Sequence, residues 1–430
     1  MTRDVLRMAY RKFGVRDWRL KNQFSQTFKE WKAIIEREKL DPERFRDKRD
    51  VLIVPPDPLL VTASKGDEAM LKVTIDHIRQ TDPSSTIQIL SVGSEGDRNS
   101  VALGTQPVRV KYSNFVHETF EFLKRTPPKT IYLLGADVMD GYADPNFSIR
   151  LLAVVDLAAR MGAEARVLGF SCSDEAYKDL ADAYQFAHPS IVYCSRDPVS
   201  HERFITKMGV NANLVADAAF MLKPSAVNEK TRQYIEWIEA ARSGGSFVLG
   251  VNFHPLLLPL NQRDKIGEAT RTLANDLIDL IEKSNVKVIL LAHDFRDEAA
   301  DVHCHSIIFD IIQERHPDAI FNLSEELPAE DLKSIIASLD ATLTGRMHLA
   351  IATLGVLVPT MMFSYRGKAE GLFRHFGFDK KYLLPAKDLL EDGVFSARLD
   401  EFIAERDELK AQIESKIDDV KALSAANFTA

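Results

Sequence analysis

Residues 341–363 read ATLTGRMHLAIATLGVLVPTMMF. Two short apolar runs, 341–344 and 356–363, flank a stretch at 348–354 that suits an apolar helix. A strand, a helix and a second strand in succession imply a parallel pair closed by a helical crossover. The turn between the first strand and the helix is Thr344-Gly345-Arg346-Met347-His348. Arg346 and His348 would be costly in an apolar core without partners. At a strand-to-helix turn both can face a cleft, where arginine supplies a fixed fork of donors and histidine moves a proton near neutral pH.

The same alternation runs outward in both directions. Upstream, strands are expected at 51–54, 87–92, 131–134, 166–170, 191–194 and 213–216, with helices at 66–79, 148–161, 174–186 and 198–208. A polar stretch at 223–245, holding one helix, reads as a connection. Beyond it strands recur at 247–251, 286–291 and 319–321, with helices at 263–283, 298–315, 328–337 and 368–376. One long helix is expected from 399 onward. The pattern predicts two α/β domains, 51–222 and 246–398, between an N-terminal helical extension at 1–50 and a C-terminal helix at 399–430. Ligands of open α/β sheets bind beyond the strand C-termini, so chemistry is sought in the loops that follow strands.

Composition narrows the function classes. The chain has 430 residues, 55 Lys+Arg and 63 Asp+Glu, a net of 55 − 63 = −8. That balance argues against a nucleic-acid partner. No run of apolar residues is long enough for a transmembrane helix. The three cysteines, Cys172, Cys194 and Cys304, are widely spaced and fit free thiols in a reducing cytoplasm. Residues 1–50 carry 15 basic against 9 acidic side chains, with Trp18 and Trp31. This segment reads either as an amphipathic arm packed on the body or as an arm that docks on a membrane face or a partner.

Several other loops could carry chemistry. Ser64-Lys65-Gly66-Asp67-Glu68 opens a helix after the first strand, which suits helix capping or an anion contact. Gly135-Ala136-Asp137-Val138-Met139-Asp140-Gly141 reads as a cleft wall or a turn. Ser195-Arg196-Asp197-Pro198 places an arginine at a strand end, fit to clamp a carboxylate or phosphate or to form a structural ion pair. His293 and Asp294 could meet a hydroxyl-bearing acceptor, and Tyr365 and Lys368 add a phenol and a cation at the next strand end. Metal binding is not expected. His303-Cys304-His305 lies in a helix, where adjacent side chains diverge, and no CxxC or HExxH occurs.

Taken in order, these motifs resemble the polysaccharide pyruvyl transferase family over about residues 51–380. Ser64-Lys65-Gly66-Asp67-Glu68 is similar to an opening Asn-x-Gly-Asp element, with Ser64 in place of Asn. Gly135-Ala136-Asp137 resembles a glycine-rich turn with one glycine kept. Arg196 with Ser200 resembles an Arg-x-x-x-Ser helix start. Asp217-Ala218-Ala219-Phe220 resembles Asp-Pro-x-Phe without the proline. Arg346-Met347-His348 matches an Arg-x-His signature, and Tyr365 with Lys368 a Tyr-x-x-Lys ending.

The resemblance implies two Rossmann-like domains facing across a cleft, a GT-B-like fold. It implies phosphoenolpyruvate as co-substrate and a glycan or lipid-linked sugar as acceptor, with no resident cofactor and no metal. Location is then expected in the cytoplasm, at the inner membrane face if the acceptor is lipid-linked. His348, Arg346 and Asp67 would be catalytic: His348 the acid toward the donor methylene, Asp67 the base toward a hydroxyl. Ser64, Gly66, Ser195, Arg196, Gly345, Tyr365, Lys368, His293 and Asp294 would line the substrates. Two rival readings are a GT-B glycosyltransferase using a nucleotide sugar and a non-catalytic scaffold of a glycan pathway.

Overall fold

The computed structural model describes residues 15–40, 42, 50–258, 261–364, 369–390 and 394–429. Two parallel sheets carry the chain. The first contains β1 (Val51–Val54), β2 (Ile87–Ser91), β3 (Gln106–Arg109), β4 (Thr130–Ala136), β5 (Glu164–Phe170), β6 (Val192–Ser195) and β7 (Asn213–Leu214), in the order β3-β2-β1-β4-β5-β6-β7. The second contains β8 (Phe247–Asn252), β9 (Val286–Leu291), β10 (Ile320–Leu323), β11 (Ala341–Thr344), β12 (Thr360–Ser364) and β13 (Leu383–Pro385), in the order β10-β9-β8-β11-β12-β13. The order reverses between β1 and β4 in one sheet and between β8 and β11 in the other. Such switch points open a crevice at the strand C-termini.

The sequence periodicity explains the layers. Central strands such as Val51-Leu52-Ile53-Val54 are apolar throughout and buried on both faces, as parallel strands between helices must be. The helix Lys65–Thr81 turns Met70, Leu71, Val73, Ile75 and Ile78 inward. Its residues join one large core shared by both sheets. The quoted segment folds as β11, helix Met347–Gly355 and β12, paired Thr342↔Thr360 through Thr344↔Met362. Its second strand begins at Thr360 rather than 356, because Val356-Leu357-Val358 is a turn with Leu357 at φ 66°.

Other differences have local causes. β3 and the helices Ser94–Ala102 and Phe115–Arg125 escape the periodicity reading. β3 is a sheet edge whose Gln106 and Arg109 are exposed, so it lacks an apolar run. The helix expected at 174–186 forms only at Leu180–Phe186. The long C-terminal helix is two, Val394–Ala404 and Arg406–Ala425.

The N-terminal helix Val15–Arg37 lies against the helix Pro145–Arg160. Trp31 is fully buried, and its indole N–H donates to Asp156 at 2.7 Å. Phe24 and Phe28 pack edge-on against Tyr177 and Phe186. The apolar stripe of the arm is therefore spent on the body. Trp18 lies outside the residues whose side chains are described. No helix among the described residues is long and apolar enough to cross a membrane.

The C-terminal helix returns to the first domain. Ser424 Oγ donates to the Asp217 carbonyl (2.7 Å), Asn427 Nδ2 to the Ala216 carbonyl (2.8 Å), and the Gly169 N–H donates to Asn427 Oδ1 (2.9 Å). The chain end thus braces the turn that presents Asp217.

Candidate active site

A cavity of about 110 Å³ opens where the two sheets face each other. It is lined from the loop after β1 by Pro56, Ser64 and Asp67, and from that after β4 by Ala136, Asp137 and Val138. Arg196 enters after β6; His293, Asp294 and Arg296 after β9; Arg346, Met347 and His348 after β11.

The domains meet here through backbone and charge. Ser64 and Asp294 form an antiparallel bridge, the Lys65 N–H donates to the His293 carbonyl (3.0 Å), and the Phe295 N–H to that of Ala63 (3.2 Å). Lys65 pairs with Glu68 and Glu326, each at 2.7 Å. Glu68 accepts from the Ala329 N–H (3.0 Å), at the start of the helix Ala329–Ile336 in the opposite domain. A carboxylate is favoured at that helix end.

His348 sits at the join. Its Nε2 lies 3.3 Å from Asp217 Oδ2 and 3.3 Å from Arg196 Nη1. Protonated, Nε2 donates to the carboxylate; unprotonated, it accepts from the guanidinium. Asp217 also accepts from Arg196 Nη1 (3.0 Å) and from the Ala219 N–H (2.9 Å). Burial alone would raise its pKa, but His348, Arg196 and the Ala219 amide outweigh burial and hold it well below the carboxylate range. Arg196 Nε is fixed on Ser171 Oγ (2.8 Å). His348 comes from the second domain, Asp217 and Arg196 from the first. The triad exists only with the two halves together.

Gly66 lies beneath the imidazole. A Cβ there would stand 2.1 Å from His348 Nδ1 and 2.2 Å from Cγ. Its missing side chain makes room for the histidine ring. That is a different job from the expected contact with substrate.

Asp67 faces the cavity with no hydrogen-bond partner among the described residues. Burial pushes its pKa up to about 6; Asp137 and Asp57 add to the rise, while Arg296 and His348 oppose it. His293 is held neutral: burial drives its pKa down to about 3, reinforced by His348 and Arg346.

Three expectations are corrected by geometry. Arg346 does not present an open fork. Its Nε and Nη2 donate to Asp301 Oδ1 at 2.9 and 2.7 Å, and Nη1 meets Asp294 Oδ2 at 3.0 Å. Gly345 is absent from the cavity wall. Its N–H donates to the Asn252 carbonyl (3.1 Å), and His254 and Leu257 fill the place a Cβ would take. Ser195 is buried, with its hydroxyl on His201 Nδ1 (2.9 Å) and the Asn213 carbonyl (3.3 Å). Tyr365 and Lys368 lie outside the described residues. Ser64, Asp67, Arg196, His293, Asp294, Arg346 and His348 are brought together.

Asp301 is the residue that sequence reading missed. Besides Arg346, its carboxylate accepts from Asn252 Nδ2 (2.7 Å) and from the N–H groups of His293 (2.8 Å) and Asp294 (3.1 Å). One buried side chain thereby ties the ends of β8, β9 and β11. Arg296 completes the wall, bonded to Asp294 through Nε (2.9 Å) and Nη2 (2.6 Å). Among the described residues no group of three or more His, Cys, Asp or Glu side chains could hold a metal ion.

Ala136 carries φ 41°, in the left-handed region that favours glycine. It stands where the family resemblance leads one to expect a glycine. The turn keeps the glycine geometry without the residue, and it aims Asp137 at the cavity mouth.

Comparison with known proteins agrees with this arrangement. The fold is similar to that of a Listeria monocytogenes protein named as a UDP-N-acetylglucosamine 2-epimerase, at TM-score 0.57 and 11% identity, covering 86% of this chain and 91% of that one. It is similar also to a glycosyltransferase from Rickettsia africae, at TM-score 0.55 and 9% identity, covering 89% and 97%. A third is the UDP-GlcNAc 2-epimerase of Neisseria meningitidis, at TM-score 0.53 and 9% identity, covering 83% and 94%. At such identity the likeness concerns the fold, which is GT-B-like. No curated protein matches the sequence significantly. A family model described as polysaccharide pyruvyl transferase matches residues 65–367, a span that opens at the start of the Asp67 helix. The Asp67, Arg196, Asp217 and Arg346–His348 motifs all fall within that match, and the chain belongs to the polysaccharide pyruvyl transferase family.

Proposed function

We propose that the protein transfers the pyruvyl group of phosphoenolpyruvate to two hydroxyls of a sugar in a polysaccharide or glycolipid precursor, giving a pyruvate ketal and inorganic phosphate. The observation that carries the reading is the Asp217–His348–Arg196 triad facing Asp67 across one cavity. The chemistry needs a proton delivered to the donor methylene carbon and protons removed from attacking hydroxyls. His348, held in place by Asp217 and Arg196, gives the first. Asp67, with a pKa near working pH, accepts from the hydroxyl. The first oxygen bonds to the donor's central carbon, the carbon–oxygen bond to phosphate breaks, and the second hydroxyl closes the ketal, its proton leaving with the phosphate. Phosphoenolpyruvate is a co-substrate, and no resident cofactor enters the scheme.

The donor's carboxylate and phosphate meet the guanidinium edges of Arg196 and Arg296 that their carboxylate partners leave over. Arg346 acts as a positioning residue through Asp301 and Asp294.

Calorimetric titration with phosphoenolpyruvate tests the donor assignment. Saturable binding is expected in the native protein and in His348→Gln, with turnover lost in the variant. Binding of a nucleotide sugar with none of phosphoenolpyruvate would replace this reading by glycosyl transfer.

Asp67 also gives a pH signature. Its folded pKa of about 6 exceeds the ordinary 3.8, so the folded state holds the proton more tightly. The stability it contributes is therefore lost as pH rises from about 4 to about 6, by up to roughly 3 kcal/mol. Asp67→Asn is expected to raise the denaturation midpoint at pH 8, to leave it nearly unchanged at pH 4, and to abolish turnover. An equal shift at both pH values would show that the carboxyl is not held in its neutral form by burial.

A further inference from the structure

Asp217 and Arg196, the first-domain partners of His348, are held by residues that take no part in the family likeness. Residues 424–428 close the helix Arg406–Ala425 and lie beyond the matched span of 65–367. The helix packs in the second domain on Met347–Gly355, Ala369–Phe376 and Val394–Ala404, and it reaches the first domain at Ala218–Met221. Phe428 anchors it there. Its ring stacks on His77 with 4.2 Å between centroids and stands edge-on to Tyr132 at 6.0 Å.

Beside that anchor sits a fully buried amide, Asn427. Its Nδ2 donates to the carbonyls of Ala216 and Ser424, each at 2.8 Å, and its Oδ1 accepts from the Gly169 N–H at 2.9 Å. Gly169 lies in β5 at φ 42°, where the pairing with β6 shifts register. Two residues on, Ser171 Oγ accepts from Arg196 Nε at 2.8 Å. Asp217 directly follows Ala216, and its own carbonyl accepts from the Ser424 hydroxyl at 2.7 Å. The two segments also touch: a Cβ built on Gly169 would stand 3.8 Å from Asp217 Cα. One amide therefore clips together the backbone that presents Asp217 and the backbone that steadies Arg196. A buried neutral hydrogen bond adds little net stability, but it fixes a direction and a distance. Phe428 already supplies an apolar anchor, so the added effect of the amide is register.

We propose that Asn427, assisted by Ser424, is a positioning residue for the reaction, setting the register of the Asp217 turn against the end of β5 so that Asp217 and Arg196 meet the His348 ring. Its effect on turnover rests on the reading of His348 as the proton donor. The tolerance is narrow. His348 Nε2 stands 3.3 Å from both Asp217 Oδ2 and Arg196 Nη1, so a shift of about 1 Å in either segment breaks one contact. Asn427 touches neither substrate nor the ring and acts through the backbone on either side of it.

The test uses the full chain and reads position separately from turnover. Ring ¹⁵N and ¹H signals of His348, assigned by their loss in His348→Gln, should move in Asn427→Ala and, by less, in Ser424→Ala. Those of His316, at the end of the helix Val302–Arg315, should stay. With phosphoenolpyruvate, kcat should fall about ten- to a hundredfold in Asn427→Ala and roughly three- to fivefold in Ser424→Ala, with KM for the donor changed by no more than about twofold. Trp31→Phe is the control. It deletes the buried bond to Asp156, outside the cavity wall, so it should lower the melting temperature while kcat and the His348 signals stay native. Ser424→Ala removes a single hydroxyl and carries the test if Asn427→Ala does not fold. The proposal is overturned if the His348 signals of the folded variants match the native ones, or if Trp31→Phe loses as much kcat per degree of melting temperature as Asn427→Ala. A native protein inactive with phosphoenolpyruvate would defeat the pyruvyl-transfer reading, and the ring signals would still decide the positioning.

Discussion

Gly66→Ala should cost roughly 100-fold or more in turnover while the protein still folds. Alanine is the better helix former, so the helix Lys65–Thr81 does not object to the change. The objection comes from across the cleft. The new methyl would lie 2.1 Å from His348 Nδ1, 2.2 Å from Cγ and 2.5 Å from Cβ. No atom of a ring and its own Cβ can yield that far while Nε2 keeps its 3.3 Å contacts to Asp217 and Arg196. The ring must leave the triad. Gly66→Ala and His348→Ala are therefore expected to be similarly inactive, and the double variant no worse than either. Steady-state turnover with matched circular dichroism decides it. Native-like turnover in Gly66→Ala would mean that His348 does not act from this position.

The second large effect is on stability. Asp301→Ala should lower the unfolding free energy by roughly 3–5 kcal/mol. Five hydrogen bonds end on this carboxylate, two from Arg346 and one each from Asn252, His293 and Asp294. Removing it takes the paired carboxylate from a buried guanidinium that keeps Asp294 and the Ala299 carbonyl, and strips two buried backbone N–H groups of their acceptor. Asp301→Asn keeps the volume but lacks the charge, and its loss should be smaller. Urea unfolding measures both. A midpoint within error of the native value for Asp301→Ala would show that the network does not hold the second domain's loops.

These effects show where sequence reading reaches and where it stops. The α/β architecture was legible because each central strand is a short apolar run and each crossover helix repeats at helical spacing. The loops were legible because polar and glycine residues interrupt apolar segments there. Asp67, Arg196 and His348 stand out by that contrast. What their side chains touch was not legible. Arg346 looks like an open anion clamp until Asp301, 45 residues upstream, is seen to occupy its Nε and Nη2. Gly66 looks like a place for a ligand, yet the occupant is a histidine from the other domain. Gly345 and Ser195 sit beside the right residues but turn their polar groups into their own sheets. Partners of this kind are set by tertiary packing between distant segments, and no local pattern encodes them. Asp217 was visible as a motif, and its pairing with His348 appears only when the two domains close on each other.

The most direct measurement incubates the purified full chain with phosphoenolpyruvate and a panel of glycan and lipid-linked sugar acceptors, reading phosphate release and acceptor mass together. Phosphate is expected to be released in step with an acceptor that gains one ketal-linked pyruvate, with neither change in Gly66→Ala or His348→Gln. Phosphate release with no acceptor mass gain, or sugar transfer from a nucleotide donor in its place, would contradict it.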